Sequence, residues 1–337
     1  MIRRVLTAVI LVVVAVILLV IAWPQLFHAE WLPLIVQVVS LRAVCVAIAI
    51  ALLVLLAVVA AVFRRSRRFV SSVAILIVVF CVISLAVLST RGFGGETFAA
   101  KTPTDLTVVS WNTLGDAPGA GAIATLALAE KADIITLPET SRAMGVEVAT
   151  LMGKGGRPMW AYTNSFDEIS KSRSTTLLIS AALGTYTVQE DRGNTSVLPT
   201  VIATPDSGAG PTIIAVHPVA PQLAELSHWR SDLTWLASQC DGANTIMAGD
   251  FNSTVDHYGR LTSGAGKNFG QCADGAVAMK SAAIGTWPTK LPPLLGTPID
   301  HVMATKNWTF TGMRVVQNLD DSGSDHRPIV AQLSLTG

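Results

Sequence analysis

Three long apolar runs, Val5 to Trp23, Arg42 to Phe63 and Phe69 to Ser89, occupy most of the first 90 residues. Each is close to the roughly 20 residues that a helix needs to cross the hydrocarbon core of a bilayer. A chain so built must begin with helices, because only a backbone that closes its own hydrogen bonds is stable in lipid. Composition agrees: 51% of the chain is hydrophobic and 14% charged, outside the range of an ordinary soluble protein. Pro24 to Pro33, with Trp31 between its prolines, suits an interfacial turn, and Leu34 to Ser40 either extends the second helix or lies along the surface. Arg3 and Arg4 precede the first run and Arg64 to Arg68 separate the second from the third. The positive-inside rule then puts the N-terminus and the Arg64 to Arg68 loop in the cytoplasm. All that follows Ser89 is expected outside a plasma membrane crossed three times. Arg42 lies on the opposite side and is outnumbered. The first run is longer than a signal-peptide core and no Ala-x-Ala site follows it, so it reads as an uncleaved anchor. No heptad, no Gly-x-x-x-Gly and no buried ionisable residue is expected in these helices, which makes them an anchor rather than a channel or proton path.

The near-neutral formal charge of +1 conceals an asymmetry. Residues 1–100 hold eight of the 24 basic residues and two acidic ones, Glu30 and Glu96. Residues 101–337 hold 16 basic and 21 acidic residues, a net of −5, which disfavours a polybasic nucleic-acid binder. Residues 90–104, rich in Gly, Ala and Thr, read as an exposed linker between a membrane region (1–89) and a second domain (105–337). In that domain short β-rich runs recur at 106–111, 133–137, 175–180, 211–216, 245–248, 299–304 and 328–333. Helix-like stretches at 121–131 and 221–239 alternate with them, so the class is α/β or α+β with a large mixed sheet. Of four cysteines, Cys45 and Cys81 fall inside apolar runs. Cys240 and Cys272 are the pair on the outer side. With no His or Cys at zinc-site spacing near either, a disulfide is expected.

Polar residues stand at the ends of the expected strands: Ser110-Trp-Asn-Thr113, Leu137-Pro-Glu-Thr140, Ala215-Val-His-Pro218, Ala248-Gly-Asp-Phe-Asn-Ser253, Pro298-Ile-Asp-His-Val302 and Gly323-Ser-Asp-His-Arg-Pro328. Singly, each has a plain structural explanation, such as a turn former, a helix cap or a satisfied histidine. Together they supply carboxylates, amides and imidazoles from separate strand ends, which is what phosphoester chemistry at a hard cation requires.

In order and content these segments resemble the endonuclease/exonuclease/phosphatase superfamily, the deoxyribonuclease I-like fold, over Ser110 to Pro328. The resemblance implies a four-layer α/β/β/α sandwich behind a three-helix transmembrane anchor of about 5–23, 42–63 and 69–89. It implies Glu139 as the main metal-ligand carboxylate, with Asn112 beside it and Asp325 as a second carboxylate near the metal. Asp250 matches the residue that positions or deprotonates the attacking water, and Asn252 the donor to a phosphate oxygen. His326, oriented by Asp300, and His217 match the histidines that flank the phosphorus. The implied cofactor is Mg²⁺, or Mn²⁺ or Ca²⁺ in its place. His301 follows Asp300 on one strand, so alternation turns it to the other face as a structural residue. The roles of Asp256, His257 and Trp287 are open, and Lys171, Arg173 and Ser174 read as a solvated basic turn, with contact to phosphate the alternative. The expected activity is hydrolysis of a phosphodiester or phosphomonoester by in-line attack of water. A linker of about 15 residues keeps the site within roughly 50 Å of the bilayer, which favours a lipid or lipid-linked substrate over the alternative, a nucleic acid.

Overall fold

A computed structural model of the chain describes residues 1–94, 97–240, 244–264 and 268–336. It divides into two compact units, Met1–Thr90 and Arg91–Gly337.

The first unit is helical. Helix α1 (Ile2–Ala22) leads through a 3-10 turn (Pro24–Phe27) to the short α2 (Ile35–Ser40), then to α3 (Arg42–Val62) and α4 (Arg67–Arg91). Ile2–Ala22, Arg42–Val62 and Arg64–Arg91 are long and apolar enough to cross a membrane. Ala22, Ala49, Ile77, Phe80 and Cys81 pack together, while Val5, Leu6, Val9, Val12 and Val13 stay exposed. Leu41 interrupts the helix between α2 and α3, so Leu34 to Ser40 is a separate element and not an extension of the second helix. The expectation of no buried ionisable residue is corrected by Arg42, which is 5% exposed and donates from Nη1 to Ala22 O at 2.9 Å. Ala22 ends α1, where carbonyls lack intrahelical partners and the helix dipole favours a cation.

The second unit holds strands β1 (Leu106–Ser110), β2 (Ile134–Pro138), β3 (Met159–Ser165), β4 (Ser174–Ser180), β5 (Tyr186–Val188), β6 (Val201–Pro205), β7 (Thr212–Val216), β8 (Thr245–Asp250), β9 (Ala273–Asp274), β10 (Asp300–Ala304), β11 (Trp308–Val315) and β12 (Ile329–Leu335). They form two six-stranded sheets rather than one large one, ordered β11-β12-β1-β2-β4-β3 and β5-β6-β7-β8-β10-β9. Only β1 with β2 and β7 with β8 run parallel among the described pairs. The core lies between the sheets, where Val108, Ile134 and Leu177 meet Ala215, Ile246 and Val302. The alternate residues Val109, Ile135 and Leu178 face outward beneath α5 (Gly119–Ala129) and α6 (Arg142–Lys154), where Ile123, Val148 and Met152 cover them. Helix α7 (Leu226–Gln239) buries Trp229, Leu233 and Leu236 on the side of the second sheet and reaches the chain just beyond β8. The layers therefore run helix, sheet, sheet, helix.

Several elements depart from the sequence reading. β3 is an edge strand whose residues past Met159 are half-buried or exposed, so it lacks a clean apolar alternation. A bulge at Phe310/Gly312 breaks the alternation of β11. α6 buries only Gly145, Val148 and Met152, and its start rests on Ser141, whose side chain accepts from Met144 N. Part of the 90–104 linker is docked: Ala99 N donates to Thr311 O, Gln332 Nε2 donates to Ala99 O, and Arg314 lies over the Phe98 ring. Residues 95–96, Glu96 among them, lie outside the described residues. Cys240 and Cys272 form a disulfide with Cα atoms 5.9 Å apart.

Candidate active site

Strand ends from both sheets meet at one edge of the sandwich. Asn112 lies just past β1, Glu139 just past β2, His217 just past β7, Asp250 at the end of β8, Asp300 at the start of β10, and Asp325 and His326 just before β12. Register brings the second group together: Asp250 and Asp300 are directly opposed across the antiparallel pair β8–β10, so their side chains share a face. Gly249 precedes Asp250 because β7 passes so close that a Cβ there would lie 2.0 Å from Val216 O. Glu139 and Asn252 both have left-handed backbones, φ 57° and 46°, which non-glycine residues adopt at a cost. Thr113 Oγ1 donates to Glu139 O at 2.8 Å and Trp229 Nε1 to Asn252 O at 2.9 Å, and these bonds hold the two turns.

Asn112 is the hub. Its Nδ2 donates to Glu139 Oε1 and to Asp250 Oδ2, each at 3.1 Å, and its Oδ1 accepts from Leu114 N. It thus bridges two carboxylates instead of presenting a free oxygen. Ser324, which the sequence reading did not single out, joins the first and last motifs: its Oγ donates to Asn112 O at 2.6 Å and accepts from His326 N. Trp111 Nε1 donates to His326 O across the same gap. The signal was Ser324's place inside Ser-Asp-His.

His326 Nδ1 bonds Asp300 Oδ2 at 2.9 Å, and its Nε2 lies 3.7 Å from Asp250 Oδ2 and 4.0 Å from Asp325 Oδ1. Burial works against its charge, but Asp300 and Asp250 outweigh it and raise the imidazole well above its ordinary value, so the ring is cationic at neutral pH. Burial likewise raises the Asp250 carboxyl against the pull of His326. His217 behaves in the opposite way: burial, then the charge on His326, push it down to about 3, so it is neutral. Its Nε2 is 3.9 Å from Glu139 Oε1, and its buried Nδ1 has no hydrogen-bond partner among the described residues. Burial also raises Glu139, against the Asn112 bond and the His326 charge. Asn252 donates from Nδ2 to Pro218 O at 2.9 Å, which leaves its second amide hydrogen for a ligand.

Trp287, undecided from sequence, donates from Nε1 to Asp325 Oδ2 at 2.8 Å, with its ring tilted beside His326. Other polar residues stand apart from this cluster. His301 bonds Asp274 and Ser253 O, His257 accepts from Thr254 N, Asp256 pairs with Arg91, and Lys171 pairs with Asp116.

The family model described as the Endonuclease/Exonuclease/phosphatase family matches residues 109–326, more than half of the chain and every segment just described. The chain belongs to that family. Its members are hydrolases of phosphoester bonds and depend on divalent metal. Solved structures with the same fold include an endonuclease/exonuclease/phosphatase from Beutenbergia cavernae, at 19% identity and TM-score 0.50 over 69% of this chain and 72% of that one. An AP endonuclease from Leishmania major aligns at 14% identity and TM-score 0.51 over 74% of this chain and 95% of that one. A humanized D. rerio TDP2 aligns at 17% and 0.50 over 68% and 99%. At these identities the likeness establishes the two-sheet fold. No curated protein matches the chain.

The residues present suit the family's cation. Asp325 Oδ1 is buried with no hydrogen-bond partner among the described residues, and Glu139 is partly desolvated with a single bond to one oxygen. Hard divalent ions seek carboxylate oxygens left in this state. Asp250, Asp300 and His326 also place one ligand atom each within 4.8 Å of one another. The Asp300–His326 hydrogen bond and the charge on His326 explain that closeness without an ion, so Glu139 and Asp325 are the better holders.

Proposed function

We propose that this chain is a membrane-anchored, metal-dependent phosphoesterase whose catalytic unit lies on the extracytoplasmic side and hydrolyses a lipid or lipid-linked phosphoester. The observation that carries the reading is the geometry at His326, whose Nδ1 is bonded to Asp300 while its Nε2 faces both Asp250 and the unpartnered oxygen of Asp325. Glu139 and Asp325 would hold Mg²⁺ or Mn²⁺, with Asn112 fixing Glu139; a divalent ion bound there neutralises charge that develops on the phosphoryl oxygens. Asp250, raised by burial and steadied by Asn112, orients the attacking water and takes its proton. His326 donates from Nε2 to a phosphoryl oxygen, and Asp300 keeps the ring oriented and protonated. The neutral His217 and the free amide hydrogen of Asn252 line the other side of the phosphate, where uncharged donors add stabilisation without repelling the metal. The three apolar helices and the Arg pattern of residues 3–4 and 64–68 support the membrane and outward parts of the reading.

The test uses the full chain in proteoliposomes with Mg²⁺ or Mn²⁺, offered phospholipids, lipid-linked sugar phosphates and nucleic acids. Hydrolysis of a lipid class that is lost in Asp250→Ala and His326→Ala supports the reading. Hydrolysis of nucleic acid alone replaces the lipid substrate, and equal silence of wild type and variants on every class overturns catalysis. A reporter active only outside the cytoplasm, fused after Gly337, tests the side: an inactive fusion reverses the orientation.

A further inference from the structure

The segment that carries Asp250 and Asn252 turns sharply on leaving β8, and the hydrolytic reading depends on where that turn points. It is held from outside the site at consecutive backbone groups. Phe251 N donates to Ile299 O at 2.9 Å, Asn252 O accepts from Trp229 Nε1, and Ser253 O accepts from His301 Nε2 at 2.9 Å. His301 lies on β10 next to Asp300 but on the opposite face, so one strand sends Asp300 into the site and His301 to the back of the turn. Its Nδ1 bonds Asp274 Oδ2 at 2.7 Å, and both side chains are 1% exposed or less.

Asp274 is itself fixed. It pairs with Met303 across β9–β10, its Oδ1 accepts from Ala276 N and Val277 N at the start of the short helix Gly275–Ala278, and its own N–H donates to Asn268 Oδ1. Phe251 and Tyr258 stand edge-on to the imidazole at 5.5 and 5.7 Å between ring centres, and Tyr258 Oη lies 3.1 Å from Ser253 Oγ and makes a longer contact of 3.5 Å with Ser253 O. Two His–Asp pairs therefore flank β10. His326–Asp300 faces the phosphate side, and His301–Asp274 grips the turn from behind.

We infer that His301, braced by Asp274, is a positioning residue for the hydrolysis: acting through Ser253 O, it fixes the left-handed turn at Asn252 and with it the aim of Asp250 and Asn252. This inference rests on the hydrolytic reading of the same site. A displacement of about 1 Å in a reacting group can cost on the order of a hundredfold in rate, so a loosened turn has leverage on catalysis.

The experiment uses the full chain in detergent micelles, with His301→Leu, His301→Gln and Asp274→Asn beside wild type. Three quantities are read: the melting temperature, kcat and KM on a phosphodiester reporter with Mg²⁺, and amide hydrogen exchange of a peptide spanning Asp250 to Ser253. His301→Leu should lower kcat at least about tenfold with KM within about twofold, and speed exchange across Asp250 to Ser253 at temperatures where the variant is folded. His301→Gln, whose amide still offers an N–H to Ser253 O, should recover most of kcat and of the exchange protection, and Asp274→Asn should fall between. Equal loss in the Leu and Gln variants, or a lowered melting temperature with kcat and exchange unchanged, overturns the positioning role. A wild type silent on every substrate removes the hydrolytic reading instead, and exchange of the Asp250 to Ser253 peptide still decides whether His301 holds the turn.

Discussion

Replacing Arg327 by Met should destabilise the catalytic unit far more than a surface change, and the structure gives the size. Arg327 is 1% exposed and follows directly on His326. Its Nη2 donates to Leu291 O at 2.8 Å, Thr289 O at 3.0 Å and Asp320 Oδ2 at 2.6 Å, and its Nη1 makes longer contacts of 3.4 and 3.3 Å with Gly285 O and Pro288 O. Methionine fills much of the volume but donates nothing. Two well-bonded carbonyls lose their donor at about 1–3 kcal/mol each. The long contacts add little, and Asp320, 30% exposed, recovers water. The expected loss is roughly 2–6 kcal/mol, nearly all of it from the two carbonyls. For a unit of this size that is a fall of roughly 4–24 °C in melting temperature, readable by calorimetry or differential scanning fluorimetry on purified full-length protein. Because the same carbonyls fix the loop that carries Trp287, the Asp325 bond should slacken as well and metal binding should weaken. Arg327→Lys keeps the charge but cannot reach both Leu291 and Asp320, so it should lie between. A Met variant that melts within about 2 °C of wild type would refute the claim that this guanidinium organises the 285–291 loop.

Further outcomes follow from the same geometry. Trp287→Phe keeps the ring and removes the N–H that orients Asp325, so Mn²⁺ affinity read by electron paramagnetic resonance should fall about 10–100-fold, as when other metal-orienting partners are lost; unchanged affinity would remove Asp325 from the metal site. Chelation should abolish hydrolysis, and Mg²⁺ or Mn²⁺ should restore it, whereas activity that survives exhaustive chelation would contradict the metal-dependent reading. Changing both Cys240 and Cys272 to Ala opens a link across 32 residues of chain. That should cost roughly 2–5 kcal/mol of unfolding free energy, while variants at Cys45 and Cys81, which are free, should leave the catalytic unit's melting unchanged.

Much of this protein is legible in its amino-acid sequence. The apolar runs delimit the three long helices to within a few residues, because crossing length and hydropathy are local properties. Strands such as β1, β2 and β4 are legible because both faces are buried and their sequences concentrate Val, Ile, Leu and Thr. Edge strand β3, bulged β11 and helix α6, which buries only Gly145, Val148 and Met152, are not, because their patterns depend on what covers them. Sequence also supplies the residue types at the strand ends, since Gly-Asp-Phe-Asn and Ser-Asp-His-Arg-Pro are short and chemically distinctive. It leaves Trp287 undecided and gives His301 its face but not its partners, because a Trp beside Pro or a His beside Asp has no local mark of what it will bond.

What only the tertiary structure decided is how those pieces meet. Asn112 bonds Asp250 across 138 residues and Trp111 reaches His326 across 215, contacts set by strand register and sheet packing rather than by any neighbouring residue. Register puts Asp250 opposite Asp300, and only then does His326 acquire the carboxylates that keep it charged and His217 the burial that keeps it neutral. The alternation of β10 is visible in the sequence, but the turn that His301 grips exists only once β8, β9 and α7 have closed around it. Local chemistry chose the side chains; desolvation and long-range hydrogen bonding, which exist only in the folded sandwich, gave them their charge states and their aim.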